Sequence, residues 1–195
     1  MNICNVYMIG VGGQGIGLLS EILMRAADHA GLAIRAVDTH GLAQRGGTVV
    51  SQLRIGSAAR TPLIPEHEAD LVVALERHEA LRGLLQMARP QGTLIYYDTV
   101  WQPLDVRLGR ADEVSAGFLA AECDRHNVHL VRVFKADLPD VRMQNIVVLA
   151  QIDRRHLIDG IDSGHYRQAM ADLMAGGMLE ENLALFDSLP QNPVV

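Results

Sequence analysis

Ile3-Cys4-Asn5-Val6-Tyr7-Met8-Ile9, then Gly10-Val11-Gly12-Gly13-Gln14-Gly15, then Ile16-Gly17-Leu18-Leu19, is the stretch on which the fold turns. Its first seven residues are a short apolar run stopped by glycine, the pattern of a strand buried on both faces in a parallel sheet. The glycines satisfy G-x-G-x-x-G between that strand and a helix, the context in which the pattern has physical meaning. From Ile16 to Ala30 the period becomes helical. Ile16, Leu19, Ile22, Leu23, Ala26 and Ala30 share a stripe that Glu21, Arg25 and Asp28 avoid, and Gly31 ends it. Leu32–Val37 reads as a second strand with Asp38 at its carboxyl end, closing a right-handed βαβ unit with the first.

Outward from this unit the alternation continues. Thr48–Ile55 and Asp70–Leu75 are predicted strands, Arg77–Ala88 a helix, and Gly92–Tyr97 a strand after a Pro90-Gln91-Gly92 turn. Thr99–Glu113 lacks periodicity and contains Pro103, so it is predicted to be irregular. Ser115–Arg125 follows as a helix and Val128–Phe134 as a strand. Val141 to about Leu189 holds three helical stretches, broken near Gly160 and Gly176-Gly177. The expectation is an α/β, three-layer Rossmann-like domain with a mostly parallel sheet and a helical C-terminal segment. Residues 1–189 form that single domain and 190–195 a tail.

Composition bounds what such a domain can do. With 195 residues the chain can bury a core without staples, and with 49% hydrophobic but only 4% aromatic residues that core must be aliphatic. A formal net charge of −6 excludes a general role on nucleic acid, which needs a basic surface. The only cysteines, Cys4 and Cys123, have no C-x-x-C or Cys/His spacing, so any metal or iron–sulfur cluster is expected on another chain. The amino-terminal run carries no basic region and is soon broken by glycine, so neither a signal peptide nor a membrane span is expected and a cytoplasmic location is.

Two loops carry the candidate chemistry. At Gly10, Gly12, Gly13, Gln14 and Gly15 the glycines permit a tight turn and close backbone approach, and the following helix points free N–H groups at an anion, so phosphate is the natural ligand. In the generic dinucleotide reading, Asp38, about 20 residues on, would bind the ribose diol. The bland reading is that the glycines only allow close helix–strand packing. The second loop, Thr39 to Thr48, is polar and glycine-rich and should emerge beside the first at the carboxyl edge of the sheet. Thr39, His40, Gln44, Arg45 and Gly46 join the candidate site there. Alternatively His40 caps a turn and Arg45 pairs with Asp38 or faces a partner subunit.

GVGGQG at Gly10–Gly15 and THGLAQRGGTVVSQLRIG at Thr39–Gly56 resemble the gamma-type subunits of the 2-oxoacid:ferredoxin oxidoreductases, most nearly the small subunits of the indolepyruvate enzymes. Asp70–Glu76 and Met143–Ala150 extend the likeness over most of the chain. The resemblance implies a chain inactive alone, complementing a large subunit that carries thiamine diphosphate and iron–sulfur clusters and passes electrons to ferredoxin. It also implies coenzyme A as a co-substrate in contact with the glycine turn and Arg45.

Two other readings stand beside it. One is a stand-alone NAD(P)-dependent oxidoreductase, for which no convincing acid–base pair is visible: His67 and His78 lie near acidic residues but are expected to cover a solvated helix end. The other is a scaffold, possible as a homodimer when isolated, whose glycine loops contact protein.

Overall fold

The computed structural model describes residues 3–40, 47–101, 106, 108–110 and 112–190, with the backbone alone at 39 and 40. The first apolar run forms β1 (Cys4–Val11), two residues longer than its predicted end. Val6 and Met8 enter one hydrophobic cluster and Tyr7 and Ile9 another, so the strand is buried on both faces. The predicted stripe becomes the buried face of α1 (Ile16–His29), with Ile16, Leu19, Ile22, Leu23 and Ala26 all buried in the core on that side of the sheet. Each of the larger side chains contributes about 1.5–3 kcal/mol by leaving water. Gly31 stops the helix at a φ of 68°. The Leu32 N–H reaches the Ala27 carbonyl at 2.9 Å and the Gly31 N–H the Asp28 carbonyl at 2.8 Å, the paired bonds of a Schellman close.

The second strand does not sit beside the first. β2 (Ile34–His40) and β3 (Thr48–Ile55) form an antiparallel pair, and β3 takes the place next to β1, also antiparallel. Val49 stands between His40 and Gly10, and Leu53 between Ala36 and Val6. The βαβ unit therefore spans an inserted strand. The side chains explain the exchange: β3 offers Leu53 and Ile55 to the core, both buried, whereas β2 carries exposed Arg35 and Asp38 and suits an edge.

β4 (Ala69–Ala74), β5 (Ala88–Tyr97) and β6 (His129–Val133) extend the sheet from the other side of β1 in parallel, giving the order β2-β3-β1-β4-β5-β6. Pro90-Gln91-Gly92 is not a turn between elements but an irregularity inside β5, where the register slips between Ala69 and Leu71. Gln91 adopts a φ of 63° there. A Cβ on Gly92 would stand 2.9 Å from the Arg89 carbonyl, so the close backbone approach demands glycine. Between Thr99 and Glu113 the described residues add no strand.

α2 (Arg77–Met87) and α3 (Ala116–Arg125) cover the face with Tyr7, Ile9, Leu94 and Tyr96. The opposite face carries α1, then α4 (Gln144–Arg154), α5 (Ser163–Leu173) and α6 (Gly176–Ser188). A 3-10 turn at Val141–Met143 leads into α4, which is buried from Gln144 to Asp153. A helix buried all round belongs inside a layer, and α4 lies against β5, β6, α1 and α6. The result is the expected three-layer α/β domain with a helical C-terminal segment. No helix among the described residues is long and apolar enough to cross a membrane.

Candidate functional site

The glycines of the first loop have separate tasks. A Cβ on Gly10 would lie 2.8 Å from Ile16 Cγ1, so this glycine serves helix–strand packing. The Gly12 N–H donates to the Gly47 carbonyl at 2.9 Å, tying the turn to the entry of β3. Gly13, at a φ of 105°, is exposed, and a Cβ there would meet only the Trp101 ring at 3.9 Å. Gly15, at a φ of 89°, sits as the N-cap of α1 and leaves no room for a side chain, since a Cβ would fall 2.6 Å from Asn145 Nδ2. Gln14 is fully buried. Its Oε1 accepts from the Val11 N–H at 2.8 Å and its Nε2 donates to the Leu75 carbonyl at 2.7 Å. The side chain therefore braces the turn against the end of β4 and is not presented to solvent.

A cleft of about 510 Å³ opens on this turn, lined by Gly13 and Gly15, by Arg142 and Asn145, and by Gly177 and Glu181. Helix ends give it a chemical character. α2, α3 and α5 are capped by the side chains of Glu76, Ser115 and Asp162, and α4 continues from a 3-10 turn that Asp140 caps, whereas α1 and α6 have no side-chain cap. These two bare amino ends meet at one cleft and offer unpaired N–H groups and partial positive charge. Arg142 lies on the rim and grips Asp140 through Nε at 2.9 Å and Nη2 at 2.5 Å. Those bonds hold the Asp140 carboxyl down at about 2. With Glu181 also present, side-chain charge here is not cationic in sum, so selection for an anion falls to the backbone.

The second loop is only partly accounted for. Thr39 and His40 pair through their backbones with Val50 and Val49 of β3. Gln44, Arg45 and Gly46 lie outside the described residues. The loop leaves and re-enters the sheet at the carboxyl edge of β1, and Gly47 touches the glycine turn. Asp38 falls inside β2 and accepts from Ser20 Oγ at 3.2 Å. With β3 interposed it is two strands away from the turn, a position unlike that of a ribose-binding acid beside the first strand.

His78 is not at a solvated helix end: it is nearly buried, with Nδ1 2.8 Å from Glu76 Oε1. Because Nε2 accepts from the Val114 N–H at 3.1 Å, the proton sits on Nδ1. Asp98, at the end of β5, is clasped by Arg77 and Arg132 at 2.6 Å each. Together these groups anchor both ends of the segment after β5. His67 is exposed. Cys4 and Cys123 pack on opposite faces of the sheet, and burial pushes their thiols up to about 12 and about 11.

Sequence reasoning missed Arg142, Asn145 and Trp101. Met143-Gln144-Asn145 opens a recognisable helical motif, but nothing in its spacing says that its amino end closes on Gly15.

The chain matches the family model described as pyruvate ferredoxin/flavodoxin oxidoreductase over residues 5–188. An indolepyruvate oxidoreductase subunit, IorB, from Archaeoglobus fulgidus is 34% identical over 185 residues, 92% of this chain and 90% of that protein. Among solved structures, the gamma subunit of a keto/oxoacid ferredoxin oxidoreductase from Geobacter sulfurreducens is 18% identical. It superposes with a TM-score of 0.66 and covers 94% of both chains. A 2-oxoglutarate:ferredoxin oxidoreductase from Magnetococcus marinus, solved with 2-oxoglutarate, coenzyme A and succinyl-CoA, matches 99% of this chain but only 32% of its own, at 17% identity and a TM-score of 0.66. These structural likenesses carry the fold.

Proposed function

This chain belongs to the pyruvate ferredoxin/flavodoxin oxidoreductase family, and on that premise we propose that it is the small, gamma-type subunit of a 2-oxoacid:ferredoxin oxidoreductase acting on indolepyruvate or another aryl pyruvate. The large partner subunit carries thiamine diphosphate and the iron–sulfur clusters and delivers electrons to ferredoxin in the cytoplasm. This chain binds the nucleotide end of coenzyme A, whose thiol takes up the acyl group. The observation that supports the reading is the meeting of two uncapped helix ends, with open Gly13 between them, in one cleft. A pyrophosphate fits such a place because N–H groups and helix dipoles are fixed there before the anion arrives. Arg142, whose Nη1 has no partner among the described residues, completes the rim, and Arg45 and the loop around it are assigned to the same anion.

Calorimetric titration of the full chain and of its complex with the large subunit tests this, using coenzyme A with NAD and NADP in parallel. Coenzyme A should bind and the dinucleotides should not. Arg142→Ala should weaken coenzyme A by about 3–10-fold, as suits the loss of one solvent-exposed charged contact. Coenzyme A that fails to bind chain and complex alike would refute the assignment, and tight NAD binding would move it to a dehydrogenase.

A further inference from the structure

The chain that leaves β5 and the chain that enters α3 are fastened to the same three residues. Glu76, the fully buried N-cap of α2, accepts on one carboxylate oxygen from the Trp101 N–H at 3.4 Å and from His78 Nδ1–H at 2.8 Å. Its other oxygen accepts from the Glu79 N–H at 2.9 Å and so holds the helix start. Arg77 donates its N–H to the Thr99 carbonyl at 3.0 Å and its Nη1 to the Val114 carbonyl at 3.1 Å. His78 Nε2 accepts from the Val114 N–H at 3.1 Å. The outgoing leg, at Thr99 and Trp101, and the returning leg, at Val114, thus meet on one turn of helix. The outgoing leg reaches the glycine turn, since a Cβ on Gly13 would stand 3.9 Å from the Trp101 ring.

One member of this clasp can change its hydrogen-bonding capacity under mild acid. A neutral imidazole has one donor and one acceptor, and here both are used. A second proton must go on Nε2, where it would face the Val114 N–H donor to donor, so the returning leg loses that bond. The same proton makes the Nδ1–H bond to Glu76 charge-assisted, shorter and stronger. Glu76 Oε1 is then drawn away from the Trp101 N–H, already the longest bond of the set. The charged groups gathered here are Glu76 and Arg77 on the same helix, Glu113 on the returning leg at 3.6 Å from Arg77, Asp98 of β5 bound to Arg77, and Arg132 of β6 bound to Asp98. Arg77 keeps its bonds to Thr99 and Val114 in either state, so acid shifts the two legs and does not free them.

We propose that Glu76, Arg77 and His78 are positioning residues: together they set where Trp101 lies over the glycine turn, and His78 makes that setting sensitive to acid. None of the three lines the cleft. They act on it through Trp101, so the affinity of the cleft for its phosphate ligand follows the charge on His78. The link to coenzyme A rests on the cleft reading, whereas the clasp itself does not.

His78→Gln is the discriminating variant, because an amide also offers a donor and an acceptor on a planar head and takes up no proton. Exchange of the Val114 amide hydrogen is followed by NMR in the full chain, together with the emission of Trp101, the only tryptophan. Wild type and H78Q are compared at equal pH from about 8 down to about 5, the span in which an imidazole gains its charge. Near the upper end the two should match. Toward the lower end Val114 should exchange about tenfold faster in the wild type than in H78Q, and Trp101 emission should shift in the wild type alone. Coenzyme A binding to the complex with the large subunit, titrated over the same range, should weaken by about 3–10-fold in the wild type relative to H78Q.

Parallel profiles for the two chains would overturn the clasp. Release of Val114 with no change at Trp101 would overturn its positioning role. If H78Q is already loosened at the upper end, the wild-type series decides alone: its Val114 exchange, corrected for the intrinsic rate, must rise with acid or the clasp is wrong. Coenzyme A that binds both chains alike at every pH, with both reporters responding, would refute control of the cleft by the clasp. If both reporters respond and coenzyme A binds at no pH, the clasp stands and the cleft reading falls.

Discussion

Gly15 and Gly17 stand two positions apart at the start of α1 and should respond oppositely to alanine. At Gly15 the left-handed φ of 89° and the 2.6 Å approach of Asn145 Nδ2 both penalise a Cβ, so Gly15→Ala should cost about 1–3 kcal/mol. At Gly17 nothing lies within 4 Å of the added carbon, and Gly17→Ala should stabilise by about 0.5–1 kcal/mol through helix propensity. Urea midpoints of the two variants check this, and shifts of the same sign would be contrary to it. Gln14→Leu should be costlier than either glycine change, because it strands the Val11 N–H and the Leu75 carbonyl, each worth about 1–3 kcal/mol when left unpaired. At this scale the sequence announced a phosphate-type turn but could not sort its glycines. Gly10 is fixed by its neighbour Ile16, whereas Gly15 is fixed by Asn145, which only tertiary folding brings near. Nor could the pattern show that Gln14 turns inward, since a glutamine in a loop ordinarily faces water.

The amino end of α2 holds two buried carboxyl groups with different supports. Glu76 accepts from the Glu79 N–H at 2.9 Å and from His78, and so is satisfied. Glu79 accepts from Thr48 Oγ1 at 3.1 Å, and its second oxygen lies 3.1 Å from Arg82 Nε without hydrogen-bond alignment. Burial raises the Glu79 carboxyl above its ordinary value, against the lowering effects of Arg82 and Thr48. A carboxyl that holds its proton more tightly folded than unfolded destabilises the fold as it ionises. Its contribution is whole below the unfolded value, about 4.3, and is lost as pH rises through the folded value. Glu79→Gln keeps an acceptor for Thr48 and removes the titration. The wild-type chain should therefore lose stability relative to E79Q as pH rises from about 4 through the raised folded value, and parallel profiles from chemical denaturation would sink this account. The helix itself was legible from its period, to within a residue at its end. The burial of Glu79 and His78 was not, because charged residues at a helix start ordinarily lie in water, and only contact with Thr48 and Val114 draws these inward.

For the whole molecule, a ligand that binds only the folded chain must raise its stability. Coenzyme A at about a hundredfold its dissociation constant adds about 2.7 kcal/mol, which for a domain of this size raises Tm by roughly 5–11 °C. A melting temperature unmoved by coenzyme A, both for the chain and for its complex with the large subunit, would contradict the cleft assignment. Strand identities were largely readable: Thr48–Ile55 is observed as predicted. Their order was not, because a run such as Thr48–Ile55 carries no mark of its direction. A clue existed in the short connection after Val37, since a parallel return needs a dozen or more residues and antiparallel pairing does not.

Among the strands described, β1 is made first and shares the centre of the sheet with β4. It pairs with residues 48–55 on one side and with 71–74 on the other. During synthesis its apolar run must therefore wait, on the order of seconds at ordinary elongation rates, before either neighbour has been polymerised. The antiparallel insertion of β3 shortens that wait: β1, β2 and β3 can assemble as soon as Ile55 has left the ribosome, well before the parallel strands exist. What looks in the finished sheet like a departure from a regular α/β order thus gives the nascent chain an early shelter for its stickiest segment.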